Sequence, residues 1–374
     1  MRRAASIGDY RALAKARLPH FLFEYLDGGS YDEVTLRRNV EELQSVSLKQ
    51  RVLRDVSNID LSAQLFGRSW AMPVGLGPVG LAGLYARRGE VQAARAAAAA
   101  NVPFALSTVG GCSLQEVARS GHVPWFQLYF VKDRRFVAQM IEIAEEVGCG
   151  ALVLTVDLAV PGSRYRDYRA AGGGLRRMGQ LLARPEWLWD VGIRGRPISL
   201  GNLEPIVGKR APLSDFQAWI HANFDPSVNW KDVEWVRKRW KRPLIIKGIL
   251  DPADAREAVA SGAEGIVVSN HGGRQLDGAQ SSARALPTIA DMLGGKARIL
   301  ADGGVRSGLD VVRMLALGAD FVLMGRGWAY ALAGSGGAGV AHVLKLLEAE
   351  MRVAMALTGC TSVEQISRDI LAPD

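Results

Sequence analysis

From residue 73 onward the chain repeats one pattern, a short run rich in Val, Ile and Leu followed by an Ala-rich or amphipathic stretch of helical length. Such runs lack the polar alternation of a half-exposed strand, so each reads as a strand buried on both faces. There are eight, at 73–76, 103–107, 125–129, 151–155, 244–247, 265–269, 298–301 and 321–324. The stretches between them read as helices at 90–100, 114–119, 133–147, 252–261, 284–292 and 309–317. Strand–helix repeats imply parallel pairing, and eight of them close into a (β/α)8 TIM barrel, an α/β fold that gathers functional groups at the C-terminal ends of its strands.

Around this barrel, at 71–330, the chain carries three additions and reads as one domain. Residues 1–70 form a helical N-terminal extension, in which Asp9 is expected to cap a helix ending at Arg17. A second helix over 19–27 ends at Gly28-Gly29 and bears Tyr25 in its last turn. The rhythm breaks between the fourth and fifth strands, where the insertion at 165–235 contains Gly172-Gly173-Gly174, Trp187, Trp189, Trp219 and the stretch 213–224. An insertion of this size can be a lid, a partner or membrane surface, or an ordinary packed excursion. Beyond the eighth strand, 334–339 reads as a flexible Gly-rich connector and 340–374 as C-terminal helices, led by an amphipathic one at 340–357.

A chain of 374 residues with 48% hydrophobic residues can bury a large core. Its formal charge of +8 favours acidic partners, whether small anions, nucleic acid or an anionic membrane face. Nucleic acid fits poorly, because there is no zinc-finger spacing, RNA-binding signature or groove-reading basic helix. Cys112, Cys149 and Cys360 show no Cys-x-x-Cys spacing, which points away from disulfides and metal and toward a reducing cytoplasm. The first residues lack the apolar core of a secretory signal, and no run reaches the roughly 18 apolar residues of a spanning helix. A membrane, if met, is met from one side.

Each strand end then delivers polar residues to one rim. The first leads into Val79-Gly80, the second ends at Ser107, and the third carries Gln127 and Tyr129 on one face by its period of two. The fourth pairs Thr155 with Asp157 and is followed by Arg164, while the fifth ends in Lys247, whose ammonium in a barrel mouth needs a partner. Past the sixth lies Ser269-Asn270-His271-Gly272-Gly273-Arg274-Gln275-Leu276-Asp277, with an imidazole and a guanidinium either side of two glycines that permit a sharp turn and close approach to a ligand. Alone, His-x-x-Arg could be a polar turn that caps nearby backbone. The seventh and eighth strands lead into Asp302-Gly303-Gly304-Val305-Arg306 and Gly325-Arg326, where this fold often holds a phosphate. Together they suggest a phosphorylated cofactor and redox chemistry on a small carboxylate. Lys247 would stabilise negative charge on a flavin, Arg274 and Arg164 would hold the carboxylate, His271 would act as base, and Asp157 would orient it. No metal site is expected.

These motifs resemble the FMN-dependent α-hydroxy acid dehydrogenases over practically the whole chain. The resemblance is carried by Ser269 to Asp277 together with Tyr25, Gln127-Leu128-Tyr129, Thr155-Val156-Asp157, Arg164, Lys247-Gly248, Asp302 to Arg306 and Gly325-Arg326. It implies FMN as cofactor, His271 as base with Asp157, Tyr25 and Arg274 on the substrate carboxylate, Tyr129 on the hydroxyl or oxo group, and Arg164 as a mobile second clamp. Within the family, Phe21-Leu22-Phe23-Glu24-Tyr25, Leu36-Arg37-Arg38-Asn39-Val40, Tyr85 to Gln92, Pro161 to Asp167 and Asn223-Phe224-Asp225-Pro226 most resemble the bacterial respiratory L-lactate-oxidising branch. Gly80 adds to this, since oxidases of the family usually carry alanine there. The resemblance therefore implies a membrane quinone as acceptor, an insertion that touches the cytoplasmic face of the inner membrane, and a homo-oligomer, often a tetramer. Alternatives are mandelate or another 2-hydroxy acid as substrate, oxygen as acceptor, a flavin-dependent isomerase, or an idle FMN-binding protein. The segments 109–112 and 170–175 depart somewhat from the pattern and leave substrate size and lid behaviour open.

Overall fold

The computed structural model describes residues 4–171, 174–195, 200–204 and 222–373. Gly172, Gly173, Trp219 and the rest of 213–221 lie outside the described residues. Eight parallel strands are present, β1 (Val74–Leu76), β2 (Ala105–Ser107), β3 (Trp125–Tyr129), β4 (Leu152–Thr155), β5 (Leu244–Ile249), β6 (Gly265–Val268), β7 (Arg298–Ala301) and β8 (Phe321–Met324). They follow one another around the sheet, with β8 beside β1. A parallel bridge between Leu76 and Phe104 closes the ring, with Leu76 N donating to the Pro103 carbonyl at 2.8 Å. The expected TIM barrel is thus formed, with every strand within three residues of its expected bounds.

The uninterrupted apolar runs are explained by two cores that share each strand. Val153, Ile245, Val267, Leu300 and Phe321 fill the barrel interior, while their neighbours Leu152, Leu154, Ile246, Ile266 and Val322 pack outward under the helices. Both faces are buried, so period-two alternation of polarity disappears.

The N-terminal extension is richer than a pair of helices. The first helix, Ile7–Arg17, is capped by Ser6 rather than Asp9, and Asp9 closes a capping box from the third helical position. A third helix, Val34–Ser45, and a two-stranded hairpin, Ala63–Leu65 with Arg68–Trp70, were not anticipated. The hairpin plugs the N-terminal end of the barrel, where Phe66 and Trp70 meet the Trp125 ring edge-on with centroids 6.2 and 6.3 Å apart. The helix Val34–Ser45 has no side-chain cap of its own; the Asp277 carboxylate accepts from Val34 N at 3.2 Å and Thr35 N at 2.8 Å. That cap arrives from more than two hundred residues away, which hides the helix start from local sequence.

The insertion contains helices Tyr165–Ala171, Gly174–Leu182 and Pro185–Trp187, then a π-helical turn over Leu188–Ile193, and ends with Trp230–Arg239 leading into β5. The Gly-rich connector is corrected. Helix runs from Arg326 to Thr358 and is broken only at Ser335 and Gly336, where Gly336 takes φ of 61°.

Candidate functional site

At the C-terminal rim of the barrel, strand register sets the first layer. Tyr129, Thr155 and Lys247 stand directly opposite one another on β3, β4 and β5, and Ser107 stands opposite Gln127 on β2 and β3. Neighbours in register share a face, so these side chains converge without help from any loop. Lys247 is buried, and its ammonium meets Asp302 Oδ2 at 2.9 Å and donates to Ser269 Oγ at 2.8 Å. Burial pushes this ammonium toward its neutral form, but Asp302 and Asp157 outweigh that and raise its pKa above the ordinary lysine value.

The loop after β6 folds as three consecutive left-handed residues, His271 (φ 57°), Gly272 (64°) and Gly273 (72°). A histidine in this region costs roughly 1 kcal/mol or more, and the surrounding contacts hold it there. His271 N donates to Ser269 Oγ at 3.0 Å, and the ring nitrogen Nδ1 lies 2.9 Å from Asp157 Oδ1. Burial works against the Asp157 carboxylate, yet the His271 imidazole and the Lys247 ammonium hold its pKa below the ordinary carboxylate value. The two glycines turn the chain as expected, but the close approach they permit is to the protein itself. A Cβ on Gly273 would lie 2.6 Å from Leu36 N, and one on Gly272 would lie 2.7 Å from Arg326 Nη1.

The helix His20–Asp27 brings Tyr25 between two cations, with Arg274 4.9 Å and Arg164 5.3 Å from the ring centroid. Arg274 Nη1 donates to the carbonyls of Tyr25 and Gly28, at 2.7 and 2.8 Å, which fixes the fork and leaves Nε and Nη2 without an acceptor among the described residues. Arg164 is paired with Asp167 at 3.1 Å. Burial raises the Tyr129 phenol well above the ordinary value, so it remains a hydrogen-bond donor at neutral pH.

One cavity joins these groups. Tyr25, Val79, Gly80, Tyr129, Thr155, Arg164, Lys247, His271, Arg274, Asp302, Gly303, Gly304, Arg306, Gly325 and Arg326 all line it. Ser107, Gln127, Asp157 and Ser269 do not line it; Asp157 and Ser269 hold the lining residues His271 and Lys247, and Ser107 donates to Gln127 Oε1 at 3.0 Å. Arg326 differs from the expected free phosphate ligand, because its Nε, Nη1 and Nη2 donate to the carbonyls of Leu26, Gly272 and Gly28 at 3.2, 2.8 and 2.8 Å. Desolvation lowers its pKa to about 10. It ties the β6 loop to the N-terminal extension while still facing the cavity. Among the residues that sequence reasoning did not assign a role, Val109, Leu158 and Gln275 line the cavity, and Asn39 is bonded to Asn270. Asn39 and Gln275 leave a signal in the sequence, as parts of the motifs at 36–40 and 269–277.

The donor set suits a flavin mononucleotide. Gln127 Nε2 and Thr155 Oγ1 are buried polar atoms without partners among the described residues, on the two strands before that of Lys247, and so could meet the polar edge of the ring system. On the opposite side the glycine turn at Gly303 and Gly304, the Arg306 guanidinium and the start of the helix at Arg326 offer an anion cradle.

Comparison with known proteins agrees with this arrangement. Residues 14–373 match the family described as FMN-dependent dehydrogenase. The chain is 60% identical over 373 residues to a protein named L-lactate dehydrogenase from Xanthomonas oryzae pv. oryzae (strain PXO99A), covering 98% of this chain and 96% of that one. It is 58% identical over 371 residues to the L-lactate dehydrogenase of Ectopseudomonas mendocina (strain ymp), covering 98% of each. Among solved structures, a monotopic membrane protein, (S)-mandelate dehydrogenase, superposes over 100% of both chains with a TM-score of 0.94 at 36% identity. A mandelate oxidase superposes over 97% of each with a TM-score of 0.85 at 38% identity. With the barrel, the buried lysine and the His271–Asp157 pair in place, these matches identify the chain as a member of the FMN-dependent dehydrogenase family.

Proposed function

We propose that this protein oxidises L-lactate to pyruvate and passes the electrons to a membrane quinone at the cytoplasmic face of the inner membrane. The observation that carries the chemistry is the His271–Asp157 contact at 2.9 Å, set in one cavity with Arg274, Arg164 and Tyr25. With Nδ1 turned to Asp157, the other ring nitrogen of His271 takes a proton from the substrate, and the carboxylate stabilises the imidazolium that results. Arg274 offers Nε and Nη2 to the substrate carboxylate as paired donors, and Arg164 closes on it from across the Tyr25 ring. Tyr129 donates to the substrate oxygen. FMN, when bound, supplies the acceptor for two electrons; Gln127, Thr155 and Lys247 would hold its ring, and Gly303, Gly304 and Arg306 its phosphate.

The preference for lactate rests on the named relatives at 58–60% identity. A second reading, mandelate or another 2-hydroxy acid, is favoured by the solved structures at 36–38% identity. The membrane assignment is supported by the insertion. On the helix Gly174–Leu182 the side chains of Leu175, Met178 and Leu182 are exposed at 88, 58 and 65%, and Trp189 and Ile193 of the following turn are exposed as well. Such a face beside Arg176 and Arg177 suits attachment from one side, and among the described residues no helix is long and apolar enough to cross a membrane. A homotetramer is part of the same reading.

The test is optical. Purified yellow protein should bleach anaerobically with L-lactate faster than with mandelate, and should regain colour with a quinone much faster than with oxygen. Colour that persists with every 2-hydroxy acid would overturn the enzyme reading. Fast reoxidation by oxygen would overturn the quinone assignment. A His271→Asn variant should bleach about a hundredfold or more slowly.

A further inference from the structure

A second cavity lies away from the barrel mouth, where the insertion docks on the loop after β1. It is lined by five arginines, Arg17, Arg87, Arg88, Arg95 and Arg194, against two carboxylates, Asp190 and Glu116. The carboxylates are shared. Asp190 lies 2.9 Å from Arg17 and 3.8 Å from Arg87, and Glu116 lies 2.9 Å from Arg88. Arg95 and Arg194 have no side-chain acceptor among the described residues. Five cations against two anions leave the cavity with a formal charge of +3. The helix Gly89–Ala99 runs along one side of it through Arg88, Val91, Gln92 and Arg95, with Arg88 at its N-cap in a left-handed conformation. Nothing in the lactate chemistry uses these groups.

The cavity is tied to the exposed apolar face. Trp187 is buried and donates its indole N–H to the Leu84 carbonyl at 2.7 Å, which fixes the π-helical turn Leu188–Ile193 over the loop. That one turn contributes Asp190 to the cavity and is followed directly by Arg194, while its Trp189 and Ile193 are exposed to solvent.

We propose that this cavity binds the phosphate of an anionic phospholipid head group, so that the insertion is held on the membrane by one phosphate-filled pocket beside its apolar face. Paired guanidinium donors suit a phosphate diester, and the neighbouring apolar side chains give its acyl chains somewhere to lie. A soluble phosphate would use the same donors but would leave Trp189 and Ile193 without a role. The inference rests on the membrane reading above.

The experiment is flotation of the FMN-loaded protein with phosphatidylcholine vesicles, with and without phosphatidylglycerol, and calorimetry with inorganic phosphate. Arg95→Gln/Arg194→Gln should lose on the order of 30-fold in affinity for phosphatidylglycerol vesicles, the effect of two cations near an anionic surface. Lys238→Gln/Lys241→Gln, which removes the same charge from a distant exposed site, should lose far less, and lactate turnover with a soluble dye should be unchanged in both. Equal losses in the two variants, or none in the first, would overturn the site. Arginine-dependent binding of inorganic phosphate with no preference for phosphatidylglycerol would overturn the lipid assignment. Wild-type protein that floats with neither vesicle would remove the membrane reading itself.

Discussion

Asn39 and Asn270 exchange side-chain hydrogen bonds, each Nδ2 donating to the other's Oδ1 at 2.8 Å. The pair is buried and joins the helix Val34–Ser45 to the loop that carries His271. Asn270 also accepts from Gly273 N at 3.0 Å and donates to the Gln280 carbonyl at 3.0 Å. The proposed base therefore stands on a loop braced by the N-terminal extension, outside the eight strands. Ser269 completes the brace by accepting from both His271 N and Lys247 Nζ.

Asn39→Ala leaves the Asn270 amide short of a partner in a buried site. Stability is expected to fall by about 2 kcal/mol, and kcat to fall more than KM rises, because the base is misplaced while the arginines remain. Denaturant unfolding and steady-state kinetics on one preparation check both.

Gly304→Ala should be far more damaging than its size suggests. Gly304 has φ of 83°, and a Cβ there would lie 2.0 Å from the Asn39 carbonyl oxygen. The turn cannot yield without moving the helix, so the variant is expected to purify with little bound FMN, as read from absorbance near the flavin bands.

Lys247→Met removes the cation from a largely buried cluster and leaves Asp302 without its partner. Breaking a buried pair from one side costs about 3 kcal/mol, so the apoprotein should unfold at clearly lower denaturant. Weaker FMN binding, measured by fluorescence titration, should accompany it.

Acid should destabilise the N-terminal extension through Asp27. Burial opposes its charge, but Arg11 at 2.6 Å, the Tyr330 hydroxyl at 2.7 Å and Arg166 at 2.9 Å hold its pKa well below the ordinary value. A lowered folded-state pKa gives stability that is fully present above the unfolded value, near 3.9, and is lost as pH falls through the folded one. Asp27→Asn is expected to lower stability at neutral pH and to flatten its decline below about pH 4. Thermal melts across that range test the sign.

Gly80→Ala places a methyl group 2.8 Å from Val109 Cγ2 and 3.7 Å from the Tyr25 hydroxyl. Valine is stiff, so the wall shifts toward the substrate. KM for the hydroxy acid is expected to rise severalfold with little loss of stability, which parallel kinetics and melts would show.

The chain by itself determined the barrel and its rim. Burial on both faces makes each strand a continuous apolar run, and the polar residue closing each run is placed on the rim by strand period alone, as Lys247 after Leu244-Ile245-Ile246 shows. What only the tertiary structure decided is how that rim is held. The helix Val34–Ser45 is capped by Asp277, Asn39 is paired with Asn270, and Arg326 is drawn onto three carbonyls of the extension and the β6 loop. Each joins segments hundreds of residues apart, and local propensity carries no trace of a partner so distant. Arg17 lies 173 positions from Asp190, so the basic cavity exists only once the insertion has folded back on the first helix.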